Sequence, residues 1–179
     1  ITNNRINGPQ AAGYGSANSF GIRVEPSTSA SGNVIDGNKV AGPYINGNDP
    51  GAYGTNNFGI RVLVPGTSTV SGTIRKNVIW DMRNADYGGT GVTEGIYVYT
   101  TTGGNGNWDI SNNMITLKNN GSSANCVGLY GIDVALNSSS TTTVQYNTVY
   151  IGGSNGGSGL VGADFSSYAY FRMPNSSGT

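Results

Sequence analysis

The chain has 179 residues, nine basic and nine acidic side chains, no histidine and one cysteine. Zero net charge and 10 % charged residues leave no basic stripe for nucleic acid and no polybasic membrane anchor. A lone Cys126 without histidine excludes an intrachain disulfide and a Cys/His metal site, and no cofactor or metal is expected.

No apolar run approaches the roughly 20 residues of a membrane span, so membrane insertion is not expected. The 30 glycines follow no collagen triplet and are punctuated by Ile/Val runs, unlike a disordered Gly/Ser linker. Cys126 reads as a small buried apolar residue.

Residues 1–7 open with an aliphatic-x-x-Asn-x-aliphatic frame, Ile1/Asn4/Ile6. Residues 8–20 read as a glycine-rich loop, 21–25 as a strand and 26–32 as a polar turn. The frame returns as Ile35/Asn38/Val40, followed by the long loop 42–58. It returns again as Ile74/Asn77/Ile79 before the loop 80–94, and as Ile110/Asn113/Ile115 before the loop 118–130. A fifth copy, Val144/Asn147/Val149, precedes the loop 152–166. The asparagines are 34, 39, 36 and 34 positions apart.

A second frame runs in step with the first. It reads Gly21-Ile22-Arg23-Val24, Gly59-Ile60-Arg61-Val62, Gly95-Ile96-Tyr97-Val98 and Gly131-Ile132-Asp133-Val134. A degenerate fifth copy is placed at Ser167-Tyr168-Ala169-Tyr170. Aliphatics alternate within these frames, which is strand periodicity, and no window carries helical spacing. Two frames with one period and variable loops on one side predict stacked solenoid coils. An asparagine between two strands suits a tight corner, because Asn tolerates left-handed or bridge backbone. Its carboxamide can also bond its counterpart one coil away, at a coil spacing of about 4.8 Å.

These features resemble the right-handed parallel β-helix, the fold of pectate lyases and related polysaccharide-active proteins. The resemblance covers nearly the whole chain and implies three short strands per coil. It also implies an internal asparagine ladder of Asn4, Asn38, Asn77, Asn113 and Asn147. The Gly-Ile-x-Val strand would border the ligand cleft, with the preceding long loop as its wall. The expectation is one all-β segment over residues 1–179, of about five coils. The ends lack the polar capping repeats of a free-standing solenoid, so the chain reads as part of a longer one. The rival fold is an antiparallel lectin-like sandwich, which the composition allows but which gives no reason for the period.

A narrower resemblance lies in Asn147-Thr148-Val149-Tyr150-Ile151-Gly152-Gly153 followed by Ser167-Tyr168-Ala169-Tyr170-Phe171-Arg172. This is similar to a recurring segment of large secreted β-helical proteins of Bacteroidota. It implies export through the type IX secretion system, an extracellular or cell-surface location, and an outer-membrane secretion translocon as partner. The C-terminal sorting domain of those proteins does not occur in these residues.

Stacking predicts two outward columns: Arg23, Arg61, Tyr97, Asp133, Ala169, and beside it Glu25, Leu63, Tyr99, Ala135. Tyrosine faces stack on sugar rings, while Arg and Asp bond hydroxyls or uronate carboxylates, so Arg23, Arg61, Tyr97, Tyr99 and Asp133 are the candidate glycan-binding residues. The same face could equally be an ordinary solvated sheet face. A calcium-dependent lyase needs clustered carboxylates and a base, and a glycosidase needs two carboxylates at suitable separation. Asp133, Glu94 and Arg61 are the first candidates for that alternative, with Asp81 and Asp86 in the preceding loop. The Asp-pair, Gly-His-Gly and Arg-Ile-Lys signatures of β-helical polygalacturonases are missing.

Asn46-Gly47-Asn48-Asp49 reads as a plain turn, since it lacks the spaced carboxylates of a calcium loop. The Asn-x-Ser/Thr matches at Asn120, Asn137 and Asn175 are expected by chance in this composition. Trp80 and Trp108 read as packing residues near strand ends. The leading functional reading is a non-catalytic structural or adhesive segment that contacts glycan. The alternative is a lyase or hydrolase segment acting on an acidic polysaccharide.

Overall fold

The computed structural model describes residues 1–7, 10–12, 18–42, 44–46, 56–84, 91–101, 103–119, 128–153 and 167–173. Among these residues there is no helix, and every strand pair is parallel. Three sheets run side by side. The asparagine-side sheet holds β1 (Arg5–Asn7), β5 (Lys39–Ala41), β9 (Val78–Asn84), β12 (Met114–Asn119) and β15 (Thr148–Gly153). Short strands β2 (Gln10–Ala12) and β6 (Tyr44–Asn46) flank it. The glycine-frame sheet holds β3 (Ser19–Val24), β7 (Asn57–Val64), β10 (Val92–Thr100), β13 (Gly128–Ala135) and β16 (Ser167–Arg172). The third sheet holds β4 (Ala30–Asp36), β8 (Val70–Arg75), β11 (Trp108–Ser111) and β14 (Thr142–Gln145).

The chain visits the sheets in turn and pairs each strand with the equivalent strand one lap away. That is a parallel β-solenoid, and it rules out the antiparallel sandwich. The rod holds about three turns rather than the expected five. The asparagine frames overcount because the first and last lie in open laps. Strand β4 is an edge strand, met from the first lap among the described residues by the Thr2–Asp36 bridge and the bond from the Ile1 amino group to Val34 O. Strands β14 and β16 leave most of their residues exposed or half-exposed. Pairing also reaches into expected loops: β2 and the start of β3 fall within 8–20, and β6 and the start of β7 within 42–58. A backbone lying beside a strand edge is drawn into the ladder by hydrogen bonds that its side chains do not announce.

Aliphatic columns fill the interior. Ile35, Ile74 and Ile110 stack in register, as do Val40, Ile79 and Ile115, and Ile22, Ile60, Ile96 and Ile132. All of them are buried, each burial being worth roughly 1.5–3 kcal/mol. Trp108 joins this core, while Trp80 is half-buried. In the last lap the core opens into a cavity of about 350 Å³ against Ile132, Val144, Tyr146, Val149, Ala169 and Tyr170.

The asparagine ladder is present over all five positions. The Asn38 backbone N–H and Nδ2 both donate to Asn77 Oδ1, at 3.0 and 2.9 Å. The same pair of bonds joins Asn4 to Asn38, Asn77 to Asn113 and Asn113 to Asn147. Each Nδ2 from Asn38 onward also donates back to the earlier lap, to Ile1 O, Ile35 O, Ile74 O and Ile110 O in turn. The corner is made differently from the expectation. Positive φ falls on the residue before each ladder asparagine: Asn3, Gly37, Lys76, Asn112 and Tyr146. The left-handed residue turns the chain, and the asparagine after it is left free to point inward.

The frame glycines have a separate cause. A Cβ at Gly21, Gly59, Gly95 or Gly131 would fall 2.4, 2.7, 2.5 or 2.4 Å from Val40, Ile79, Ile115 or Val149 respectively. Each glycine therefore faces the interior, as does the isoleucine after it. Strict alternation breaks there, and the residue before the glycine emerges on the outer face.

Cys126, Asp86, Asn120, Asn175 and residues 47–49 of the expected turn lie outside the described residues. Asn137 is half-buried and donates to Gly103 O at 3.2 Å.

Candidate functional site

The outer face of the glycine-frame sheet gathers the residues singled out by the second frame. One register column runs Arg23, Arg61, Tyr97, Asp133, Phe171. It ends in Phe171, not in Ala169 as expected. The fifth copy of the frame is Ala169-Tyr170-Phe171-Arg172, with Ala169 at the glycine position opposite Gly131. Alanine fits there because Ala169 faces the cavity of the last lap instead of a crowding aliphatic. The second column holds Leu63, Tyr99 and Ala135 in register. Glu25 follows β3 and bonds Arg23 at 2.6 Å, with its other oxygen 3.9 Å from Arg61.

A third column was not anticipated: Phe20, Phe58, Glu94, Tyr130, Tyr168. These are the residues before each frame glycine, brought outward by the break in alternation. The signal was present, since three of the four frame glycines follow Phe or Tyr. It was hidden because those positions fell at the ends of the expected loops 8–20, 42–58, 80–94 and 118–130.

The three columns interlock. Phe20 stacks on Phe58 at 5.4 Å, Phe58 on Tyr97 at 5.6 Å and Tyr97 on Tyr99 at 4.5 Å, all within 11° of parallel. The Arg61 guanidinium lies 5.1, 5.2 and 4.6 Å from the ring centres of Phe20, Phe58 and Tyr99. It also donates to the Tyr99 hydroxyl. Such cation–π contacts, strengthened by partial desolvation, fix the charge in one place. Farther along the rod, Tyr130, Tyr168 and Phe171 form a second aromatic cluster, with ring separations of 4.9 to 5.5 Å.

Between the two clusters lie the carboxyl groups. Glu94 and Asp133 are both buried, 5 % and 7 % exposed. Glu94 Oε2, Asp133 Oδ1 and Arg61 Nε have no hydrogen-bond partner among the described residues. Burial, reinforced by the Asp133 charge, pushes the Glu94 carboxyl well above the usual carboxylate range. Burial raises Asp133 from 3.8 to about 6, against a lowering hydrogen bond from the Val134 backbone. Tyr97 is likewise pushed up, first by burial and then by the Glu94 and Asp133 charges. Both carboxyls of the face therefore hold their protons more tightly than an exposed carboxylate does.

The structure thus brings Arg23, Arg61, Glu94, Tyr97, Tyr99 and Asp133 onto one face. Asp81 does not join them: it sits in β9 at positive φ, exposed, on the asparagine-side sheet. No group of three or more metal-ligating side chains occurs among the described residues. No family model, curated protein or solved structure matches the chain.

Proposed function

We propose that this chain is a rigid structural or adhesive β-solenoid segment of a secreted or cell-surface bacterial protein, and that it contacts glycan through the Arg/Tyr face. The observation that carries this reading is the stacked run Phe20–Phe58–Tyr97–Tyr99 locked around Arg61. With the ring faces stacked on one another and Phe58 buried, what this face offers a sugar is ring edges and tyrosine hydroxyls with a cation and carboxyls at their border, which suit sugar hydroxyls and carboxylates. The resemblance to pectate-lyase-like β-helices and to surface proteins of Bacteroidota supports the same assignment, with export by the type IX system and its translocon as partner. A glycan array tests it. Binding should be present in the intact chain and fall at least tenfold in Tyr97→Ala and Tyr99→Ala. An array without signal would leave only the scaffold role.

One observation favours a second reading, a lyase or hydrolase segment acting on acidic polysaccharide. Glu94 and Asp133 are buried carboxyls on one face, both held above the usual carboxylate range, with the Asp133 charge acting on Glu94. Under that reading polysaccharide turnover is measurable and is abolished by Asp133→Ala.

A further inference from the structure

Charge bookkeeping on the glycan-contacting face points to a proton-controlled site. Its fixed charges are Arg23 and Arg61 on one side and Glu25 on the other, with Arg23 and Glu25 in contact. Burial, reinforced by the Asp133 charge, favours the neutral form of Glu94. Asp133 is then the variable charge, one strand from Tyr97 and two strands from Arg61 in the same register column. With Asp133 ionised the four groups Arg23, Arg61, Glu25 and Asp133 sum to zero. With Asp133 protonated they sum to plus one.

We propose that this face is a site for an anionic glycan, one bearing carboxylate or sulfate groups, whose affinity is gated by the proton on Asp133: tight when that carboxyl is protonated, weak when it is ionised. The inference rests on the glycan-contacting reading above and names its ligand class and control.

The surroundings of Asp133 leave few other groups to do this. Strand β10 presents Glu94, Tyr97 and Tyr99 to it, β13 itself presents Tyr130, and β16 presents Tyr168 and Phe171. Arg172 of β16 turns its guanidinium to Ser140 O at 3.3 Å. Strands β12 and β15 meet β13 from the interior, where the aliphatic Val149 of β15 packs against Gly131. Burial shifts Tyr97 and Tyr130 upward, so neither phenol adds a charge as the pH is lowered. The sign follows directly. An anion on the face favours the protonated carboxyl, so affinity rises as pH falls through about 6. Sugar carboxylates and sulfates remain ionised over that interval, so the change belongs to the protein.

The test is a set of binding isotherms at about pH 5 and about pH 7.5, with polygalacturonate, dextran sulfate and uncharged dextran as probes. One unit charge at the edge of a partly desolvated site should change affinity about tenfold. The expected result is tighter binding of a charged polymer at the lower pH, with dextran indifferent to pH. The charged polymer that binds more tightly identifies carboxylate or sulfate as the recognised group. Asp133→Asn should bind at about pH 7.5 as the parent does at about pH 5, with its pH dependence gone. Asp36→Asn, which removes a carboxylate of the third sheet paired with Arg75 and away from this face, should leave the parent profile intact. Binding that ignores pH, or an Asp133→Asn variant that keeps the parent's pH dependence, overturns the gate while leaving glycan contact in place. Absence of binding to all three polymers at both pH values, with a glycan array equally blank, removes the glycan-contacting reading as well. Thermal unfolding of each variant separates a lost gate from a lost fold.

Discussion

Replacing Asn77 by alanine removes one carboxamide from the middle of the asparagine file, and the cost can be worked out bond by bond. The Asn77 oxygen accepts from the Asn38 backbone N–H and from Asn38 Nδ2, and its own Nδ2 donates to Ile35 O and Asn113 Oδ1. After the substitution the Asn38 N–H has lost its side-chain acceptor in a fully buried setting. The Asn38 carboxamide keeps its bond to Ile1 O, and Asn113 Oδ1 keeps the Asn77 backbone N–H. One stranded donor costs about 1–3 kcal/mol and each further lost bond about 1 kcal/mol, so Asn77→Ala should cost about 4–6 kcal/mol. Asn4→Ala is the control. Asn4 is exposed, and Asn38 Oδ1 retains the Asn4 N–H, so the loss should stay below about 1 kcal/mol. Urea unfolding followed by far-UV circular dichroism gives both midpoints on one scale. If the two variants unfold at the same urea concentration, the buried file is not what ties one lap to the next.

Asp133→Asn should stabilise the fold at neutral pH. The carboxyl holds its proton more tightly folded than unfolded, so its favourable share is complete below 3.8 and is lost as pH rises through about 6. That difference is at most about 3 kcal/mol, and unfolding midpoints of parent and variant should separate above pH 6 and converge in acid. Gly95→Ala should cost about 2–4 kcal/mol, because its Cβ would meet Ile115 Cγ2 at 2.5 Å and Gly131 O at 2.6 Å. Gly32→Ala, in open space at φ 68°, should cost only about 1 kcal/mol in the same thermal melt. Lys76→Gly should raise stability by about 0.5–1 kcal/mol, since lysine there holds φ at 54° where the previous lap uses Gly37; a drop in melting temperature would count against that assignment of strain.

The winding of the chain was legible because two independent frames shared a period, and period survives where loop length does not. The asparagine file was legible for the same reason, down to all five members. The conformation of the corner was not. Asn invites the left-handed region, but Gly37, Lys76 and Tyr146 show that the position before it bends whatever residue stands there. The candidate face was half legible. Arg61, Tyr97 and Asp133 follow from register alone, whereas Phe20, Phe58, Tyr130 and Tyr168 require the glycine to interrupt alternation, a consequence of packing against a strand far away in sequence. The fifth frame was misplaced by two residues because alanine had taken the glycine's place, where the last lap leaves room for a methyl group. The coil count ran high because a motif is counted as soon as it is written, but a turn is complete only when all three of its sides have neighbours.

The carboxamides of the asparagine file all share one heading. Between side chains, each passes its hydrogen to the asparagine that comes later in the chain. Turning one of them over would set nitrogen against nitrogen on one side and oxygen against oxygen on the other. Orientation is therefore inherited from lap to lap as the rod is wound, and the small amide dipoles accumulate instead of cancelling. The rod has an electrical bow and stern, and an encounter that places two like ends together meets a repulsion that end-to-tail contact does not.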